Sequence, residues 1–357
     1  MLPRACPCTR LLLVLLVTGT AACQRATEPV FTFSTDASSR AGMVALEDGV
    51  LVGNEAGALV RLNRRGEQVW RVKFGQEVAA RPTVVGDSVI AGTVGGELAR
   101  LGLADGADRW RLTGEPPVLT ALVSDEASVY VLGQDGAVRA HALDTGQVRW
   151  RRPAPKAEES LIDPSQRLPA PVLSGGVLVV PQGEAGLVGL STEDGKLRWR
   201  RPMTQVLGMA REGDTLYVSM RNGRVAALGV EDGSPRWEQT PAPVLTSPPT
   251  YVQGVLWVGT EPPQLLAISP ADGRRLSGID LPSTLVTQVA VHGEHLIVPT
   301  SGREGLLLAL RRQGGAPVFS VRTDTALRST PVVLGDQVFA LGLDGRVLSW
   351  NIRAPER

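Results

Sequence analysis

Ala142-Leu143-Asp144-Thr145-Gly146-Gln147-Val148-Arg149-Trp150 reads as the end of one strand, a tight turn and the start of another. The Asp-Thr-Gly turn supplies the positive φ that a short hairpin needs. The glycine-to-tryptophan step of four returns as Gly66/Trp70, Gly106/Trp110, Gly195/Trp199 and Gly233/Trp237. Trp70, Trp110, Trp150, Trp199 and Trp237 are spaced by 40, 40, 49 and 38 residues. Gly273/Ser277 and Gly315/Phe319 are degraded copies, and Phe31 stands 39 residues before Trp70, which brings the positions to eight. A period near forty is the signature of an array of one supersecondary unit.

Working outward from that stretch, each repeat holds four short strands. An extended segment such as Pro82-Thr83-Val84-Val85 leads to a turn, Gly86-Asp87, and then to an apolar strand, Ser88-Val89-Ile90-Ala91. Glycine turns follow at Gly96, Gly136, Gly186, Gly223 and Gly345. A third strand ends in Asp-Gly or Asp-x-Gly, and the tryptophan strand completes the unit. β-Branched residues in period-two alternation favour strands, and nothing has a sustained helical period. The expectation is an all-β fold: an eight-bladed β-propeller of four-stranded antiparallel blades over residues 28–352, with a C-terminal tail of 353–357. Glu28-Pro29-Val30-Phe31-Thr32-Phe33-Ser34-Thr35-Asp36 resembles Ala316-Pro317-Val318-Phe319-Ser320-Val321-Arg322-Thr323-Asp324. The first of these therefore reads as a fourth strand that completes the last blade and closes the ring.

The 357 residues carry 37 Lys+Arg against 36 Asp+Glu, a balance that gives no nucleic-acid footprint. All three cysteines, Cys6, Cys8 and Cys23, lie at the start, so the repeats hold no disulfide, thiolate metal site or cysteine nucleophile. Arg4 and Arg10, the apolar run Leu11-Leu12-Leu13-Val14-Leu15-Leu16-Val17 and the small residues before Cys23 have the layout of a secretory signal peptide. The apolar run is too short for a permanent membrane span. Small residues ending at Cys23 resemble a bacterial lipobox, with Thr20 where leucine is usual. That resemblance implies removal of residues 1–22, lipidation of Cys23, a short tether over 23–27 and attachment to the membrane through lipid alone. Gln24 after the cysteine resembles the outer-membrane pattern, which implies an anchor there with the chain facing the periplasm.

The Ala-x-Asp-x-Gly-x-x-x-Trp unit resembles the quinoprotein-type, or PQQ-like, propeller repeat over roughly residues 28–352. The resemblance implies that Trp70, Trp110, Trp150, Trp199 and Trp237 pack between neighbouring blades. Signal, lipobox, eight repeats and N-terminal closure together resemble the BamB family of outer-membrane barrel-assembly lipoproteins. That implies a non-catalytic scaffold, monomeric within a complex, which binds an envelope protein of the BamA type; a propeller lipoprotein of another envelope pathway, binding a different protein or a small ligand, is the alternative. The spacing of 49 before Trp199 hides an insertion at about residues 156–168, KAEESLIDPSQRL. The resemblance implies a partner-binding loop there, carried by Leu161, Ile162, Arg167 and Leu168; an insertion tolerated on the surface is the alternative. The family's acidic pair in a later connection has no match in Pro243-Val244-Leu245-Thr246-Ser247-Pro248. A contact built on those acids would have to be rebuilt.

Quinoprotein dehydrogenases, by the same resemblance, need a quinone, calcium, a catalytic carboxylate and often a disulfide of adjacent cysteines. The repeats hold no such cysteines, and the length leaves no room for that family's long cofactor-holding insertions, so no cofactor or catalytic residue is assigned. His292 and His295 in Val291-His292-Gly293-Glu294-His295 occupy the slot of Gly-Asp turns, and a zinc site wants at least three protein ligands, so no metal is assigned. Neither a Gly-x-Ser-x-Gly elbow nor a phosphate loop is present. Arginines flank the tryptophans at Arg109/Arg111, Arg149/Arg151 and Arg198/Arg200, and strand alternation turns them toward solvent.

Overall fold

The first repeat shows how the pattern becomes a blade. In the computed structural model, which describes residues 28–154, 169–314 and 317–352, Met43–Leu46, Gly49–Gly53, Ala58–Asn63 and Gln68–Lys73 pair in sequence order as an antiparallel sheet. The pattern returns as eight sheets, here called blades 1 to 8 in chain order. A 3-10 turn at Gly183–Ala185 is the one helical segment among the described residues. None of their helices is long and apolar enough to cross a membrane.

The Asp-Gly turns share one chemistry. Asp105, Asp194, Asp232 and Asp272 each accept through Oδ1 from the backbone N–H two residues on. These side chains shape the hairpin ends.

Burial sorts the four strands of a blade. First strands of neighbouring blades touch one another and therefore surround the axis. They are half-buried, as at Thr83–Val85 and Val172–Ser174, because a channel runs past them. Second strands such as Ser88–Gly92, Ser128–Leu132 and His295–Pro299 are wholly buried. Fourth strands, such as Val148–Arg152, form the exposed rim.

The expected closure is found. Phe31–Ser34 pairs with Arg346–Asn351 and completes the sheet of Val332–Leu334 and Gln337–Leu341, with Phe31 opposite Ser349 and Ser34 opposite Arg346. The apolar core consists of eight clusters, one at each joint between successive blades. Phe31 and Phe33 pack against the cluster of the 8/1 joint, so the last strand added covers the seam as well as completing a sheet. Blade 6 departs from the pattern. Its inner strand is split into Val244–Leu245 and Thr250–Val252, both paired with Val255–Glu261.

Candidate protein-docking face

The repeat tryptophans lie at the joints. A Cβ added to Gly233 would sit 2.6 Å from Trp199 Cδ2, so only glycine lets blade 5 rest on the indole of blade 4. Gly106, Gly146, Gly195 and Gly273 meet Trp70, Trp110, Trp150 and Trp237 in the same way. Each indole N–H also donates to a carbonyl of the following blade: Trp70 to Leu103 (3.0 Å), Trp110 to Leu143 (2.9 Å), Trp150 to Thr192 (2.8 Å), Trp199 to Val230 (2.9 Å) and Trp237 to Pro270 (2.9 Å). Ring and hydrogen bond together fix how far one blade slides on the next. Phe31 takes the place of a tryptophan against Gly66.

One face of the ring gathers the inter-blade connections and the hairpins between second and third strands. These are stitched together by backbone bonds. In blade 1, Glu55 N–H donates to Ser38 O of the incoming connection, and Val78 N–H of the outgoing one donates to Asn54 O. The same stitch recurs from Val94 to Glu77, Gln134 to Pro117, Arg221 to Gln205, Ser301 to Thr284 and Leu343 to Ala326. The connections and hairpins of this face are thus bound to one another from blade to blade.

The insertion of residues 156–168 falls in the chain between the fourth strand of blade 3, Val148–Arg152, and the first strand of blade 4, Val172–Ser174. Leu161, Ile162, Arg167, Leu168 and the lipidation candidate Cys23 lie outside the described residues. Blade 3 carries an ionic cluster on this face. Arg139 grips Asp135 at 2.6 Å and reaches Glu115 at 3.7 Å, while Arg151 stands 3.6 Å from Asp135. Burial works to raise the Asp135 pKa, but the Arg139 hydrogen bond, the Ala137 N–H and the charges of Arg139 and Arg151 together hold the carboxyl below its usual range. Blade 4 carries Gln182, 5 % exposed, whose amide nitrogen and oxygen both lack a partner among the described residues. A buried orphan amide costs free energy. Sequence reasoning missed Gln182 because it belongs to none of the repeat's motifs.

The connection lacking the acidic pair is held by hydroxyls. Thr246 Oγ1 donates to Leu285 O at 2.7 Å, Ser219 Oγ donates to Ser247 O at 2.9 Å, and Gly259 N–H donates to Ser247 Oγ at 2.8 Å. These bonds join blades 5, 6 and 7. Of the rim arginines, Arg149, Arg151, Arg198 and Arg200 are exposed. Arg111 differs from the solvated expectation: it lies 4.5 Å over the Phe74 ring and is bonded to Asp108 and Glu97. Its pKa is raised first by the Asp108 hydrogen bond. Among the described residues no group of three or more His, Cys, Asp or Glu is arranged to hold a metal. His292 instead faces Asp336 across the 7/8 joint at 3.1 Å.

Fold and repeat chemistry define an eight-bladed quinoprotein-type propeller whose joints are tryptophan latches. Comparison with known proteins narrows this: the chain belongs to the family described as outer membrane protein assembly factor BamB, whose model matches in overlapping stretches at residues 18–163, 55–207, 161–276 and 264–354. It is similar to the outer membrane protein assembly factor BamB of Shewanella oneidensis, 22% identical over 316 residues, which cover 86% of this chain and 70% of that one. The crystal structure of BamB from Moraxella catarrhalis superposes with a TM-score of 0.72 at 16% identity, over 91% of this chain and 99% of the other. Quinohemoprotein alcohol dehydrogenase from Comamonas testosteroni superposes with 0.73 at 14% identity, over 93% of this chain and 78% of that one. At such identities the two superpositions speak for the fold alone.

Proposed function

We propose that this chain is a non-catalytic scaffold in the assembly of outer-membrane β-barrel proteins. The observation that carries this reading is the match to the assembly-factor family along nearly the whole chain. In this reading Cys23 is lipidated, residues 1–22 are removed, and the propeller of residues 28–352 hangs from the outer membrane into the periplasm. The stitched face docks on an envelope protein of the BamA type. The loop of residues 156–168 supplies Leu161, Ile162, Arg167 and Leu168, with Gln182 and the Arg139–Asp135 pair at its base. The tryptophans at 70, 110, 150, 199 and 237 hold the blades in register so that the face stays rigid.

The test is a native pull-down from detergent-solubilised envelopes with the full chain and with a variant lacking residues 156–168. A barrel-assembly protein is expected with the first and lost with the second. Recovery of that protein at equal yield by both would remove the loop from the reading. Recovery by neither would overturn the scaffold role.

A further inference from the structure

The eight first strands share one register, which allows residues at one level of the axis to be compared. The residue opposite the middle of each second strand is Thr83 in blade 2, paired with Ile90, and Val332 in blade 8, paired with Phe339. Two residues before it, where the connections of the docking face enter the ring, blade 2 carries Arg81. At the same level Gln288 and Thr330 are the other polar residues, and the remaining blades have Gly, Ala or Pro. Arg81 is thus the single charge on this ring.

Its polar neighbours on the ring are engaged elsewhere. Gln288 Nε2 donates to Pro249 O at 2.9 Å, and Thr330 Oγ1 shares a hydrogen bond of 2.9 Å with Thr287 Oγ1. Glu77, four residues earlier in the same connection, lies 3.8 Å from Arg40, which also binds Glu55 at 2.7 Å. No hydrogen bond or ion pair reaches the Arg81 guanidinium among the described residues. Its stem leans across blade 1, where a Cβ on Gly42 would lie 4.0 Å from Arg81 Cδ and 3.7 Å from Ser329 Cβ. Ser329 Oγ, and Thr120 Oγ1 just before the same level of blade 3, are buried hydroxyls without a partner among the described residues.

Arg81 is exposed to solvent, yet surrounding protein desolvates the guanidinium and pushes its pKa below the ordinary arginine value. Both hold at once for a side chain in a narrow wet channel. A cation stripped of much of its water and given no counter-charge is unfavourable until an anion arrives. The planar fork of arginine matches an oxyanion in two parallel hydrogen bonds.

We propose that this mouth of the central channel is an oxyanion site, in which Arg81 takes a carboxylate or phosphate group and Ser329 supplies a hydroxyl beside it. The site is independent of the assembly reading and needs no residue of the 156–168 loop. A free phosphate and the carboxylate end of a peptide are the two sources of such a group.

Thermal unfolding of the full chain in detergent separates them. It is measured in sodium chloride, in sodium phosphate at equal ionic strength, and with an acetylated peptide ending in a free carboxylate or in an amide. At least one of phosphate and the free-carboxylate peptide raises the midpoint by about 2 °C or more at millimolar concentration, and the amide does not. Phosphate alone identifies the free ion as ligand, and the peptide alone identifies a chain end. Arg81→Gln loses the response, Arg81→Lys keeps part of it, and Arg65→Gln, which removes an exposed arginine on the opposite face, keeps all of it. In chloride, Arg81→Gln unfolds no earlier than the wild type, because it removes a charge with no partner. No shift with either ligand, an equal shift in Arg81→Gln, or a clear loss of stability of that variant in chloride overturns the site.

Discussion

Between blades 4 and 5, Trp199 lies against Gly233 and donates to Val230 O at 2.9 Å. Between blades 7 and 8 no fourth-strand tryptophan rests on a glycine; Trp350, from the third strand of blade 8, is buried in the apolar cluster instead, and the joint carries a His292–Asp336 contact of 3.1 Å and a Thr287–Thr330 hydrogen bond of 2.9 Å. The 6/7 joint likewise relies on Thr246 to Leu285 O, Gln288 to Pro249 O and Arg312 to Gln253. Each joint keeps its apolar cluster, so burial holds the ring together everywhere. What differs is how register is fixed. One indole does it in the first five joints, whereas several small polar contacts share the task in the sector next to the seam. Register in that sector is therefore expected to be more tolerant of single losses.

The seam itself gives the largest effect. Deleting residues 28–36 removes the fourth strand of blade 8 and uncovers the cluster that Phe31 and Phe33 help to close. The expected outcome is loss of cooperative unfolding by circular dichroism, since a whole strand with its ladder is missing. Next comes a direct contrast of the two kinds of joint. Trp199→Ala is expected to cost about 3–5 kcal/mol. His292→Ala, whose partner Asp336 is largely exposed, is expected to cost less than about 1 kcal/mol. Denaturant titration of both variants measures the difference, and equal losses would break the distinction between latched and shared joints.

Legibility in sequence follows the same divide. The tryptophan joints were visible because one residue type repeats at fixed spacing, and the seam because Glu28 to Asp36 copies Ala316 to Asp324. The split inner strand of blade 6 was not visible: there the Thr246 hydroxyl bonds to blade 7 and the Ser219 hydroxyl of blade 5 bonds to the Ser247 carbonyl, partners 39 and 28 residues away. Gln182 belongs to none of the repeat's motifs, and Arg81 was hidden for the same reason as the split strand. A residue is an orphan only relative to neighbours that closure of the ring brings near. The inserted loop could be located by its spacing, but its side-chain roles came through family resemblance.

Two glycines sharpen the comparison further. Gly233 and Gly314 both have positive φ, 66° and 89°, so alanine strains the backbone at either site. Only at Gly233 does the new methyl meet an indole, whereas at Gly314 nothing lies within 4 Å. Gly314→Ala is expected to cost about 1 kcal/mol and Gly233→Ala about 1–3 kcal/mol more. Similar midpoints in denaturant would mean that the indole shifts freely, which a register-fixing latch does not do.

Alkaline pH gives the smallest effect and reaches into one tryptophan joint. Tyr130 packs on Trp150 with ring centroids 5.9 Å apart. Its hydroxyl donates to Asp125 Oδ2 at 2.5 Å and lies 3.5 Å from Thr192 O, the acceptor of the Trp150 indole. Burial first, and then the Asp125 hydrogen bond, push the phenol from 10.0 up to about 12. The unfolded chain loses this proton first, so the stabilisation is complete below pH 10 and falls as pH rises to about 12. Tyr130→Phe has no proton to lose. It is expected to be about 1 kcal/mol less stable at neutral pH, through the lost hydrogen bond, and to flatten this part of the alkaline decline. The difference in stability between the two proteins, followed by denaturant titration from pH 9 to 12, isolates the one phenol from every other titrating group. Parallel curves would mean that the phenol ionises alike in both states and that the 3/4 joint rests on the Trp150 latch without it.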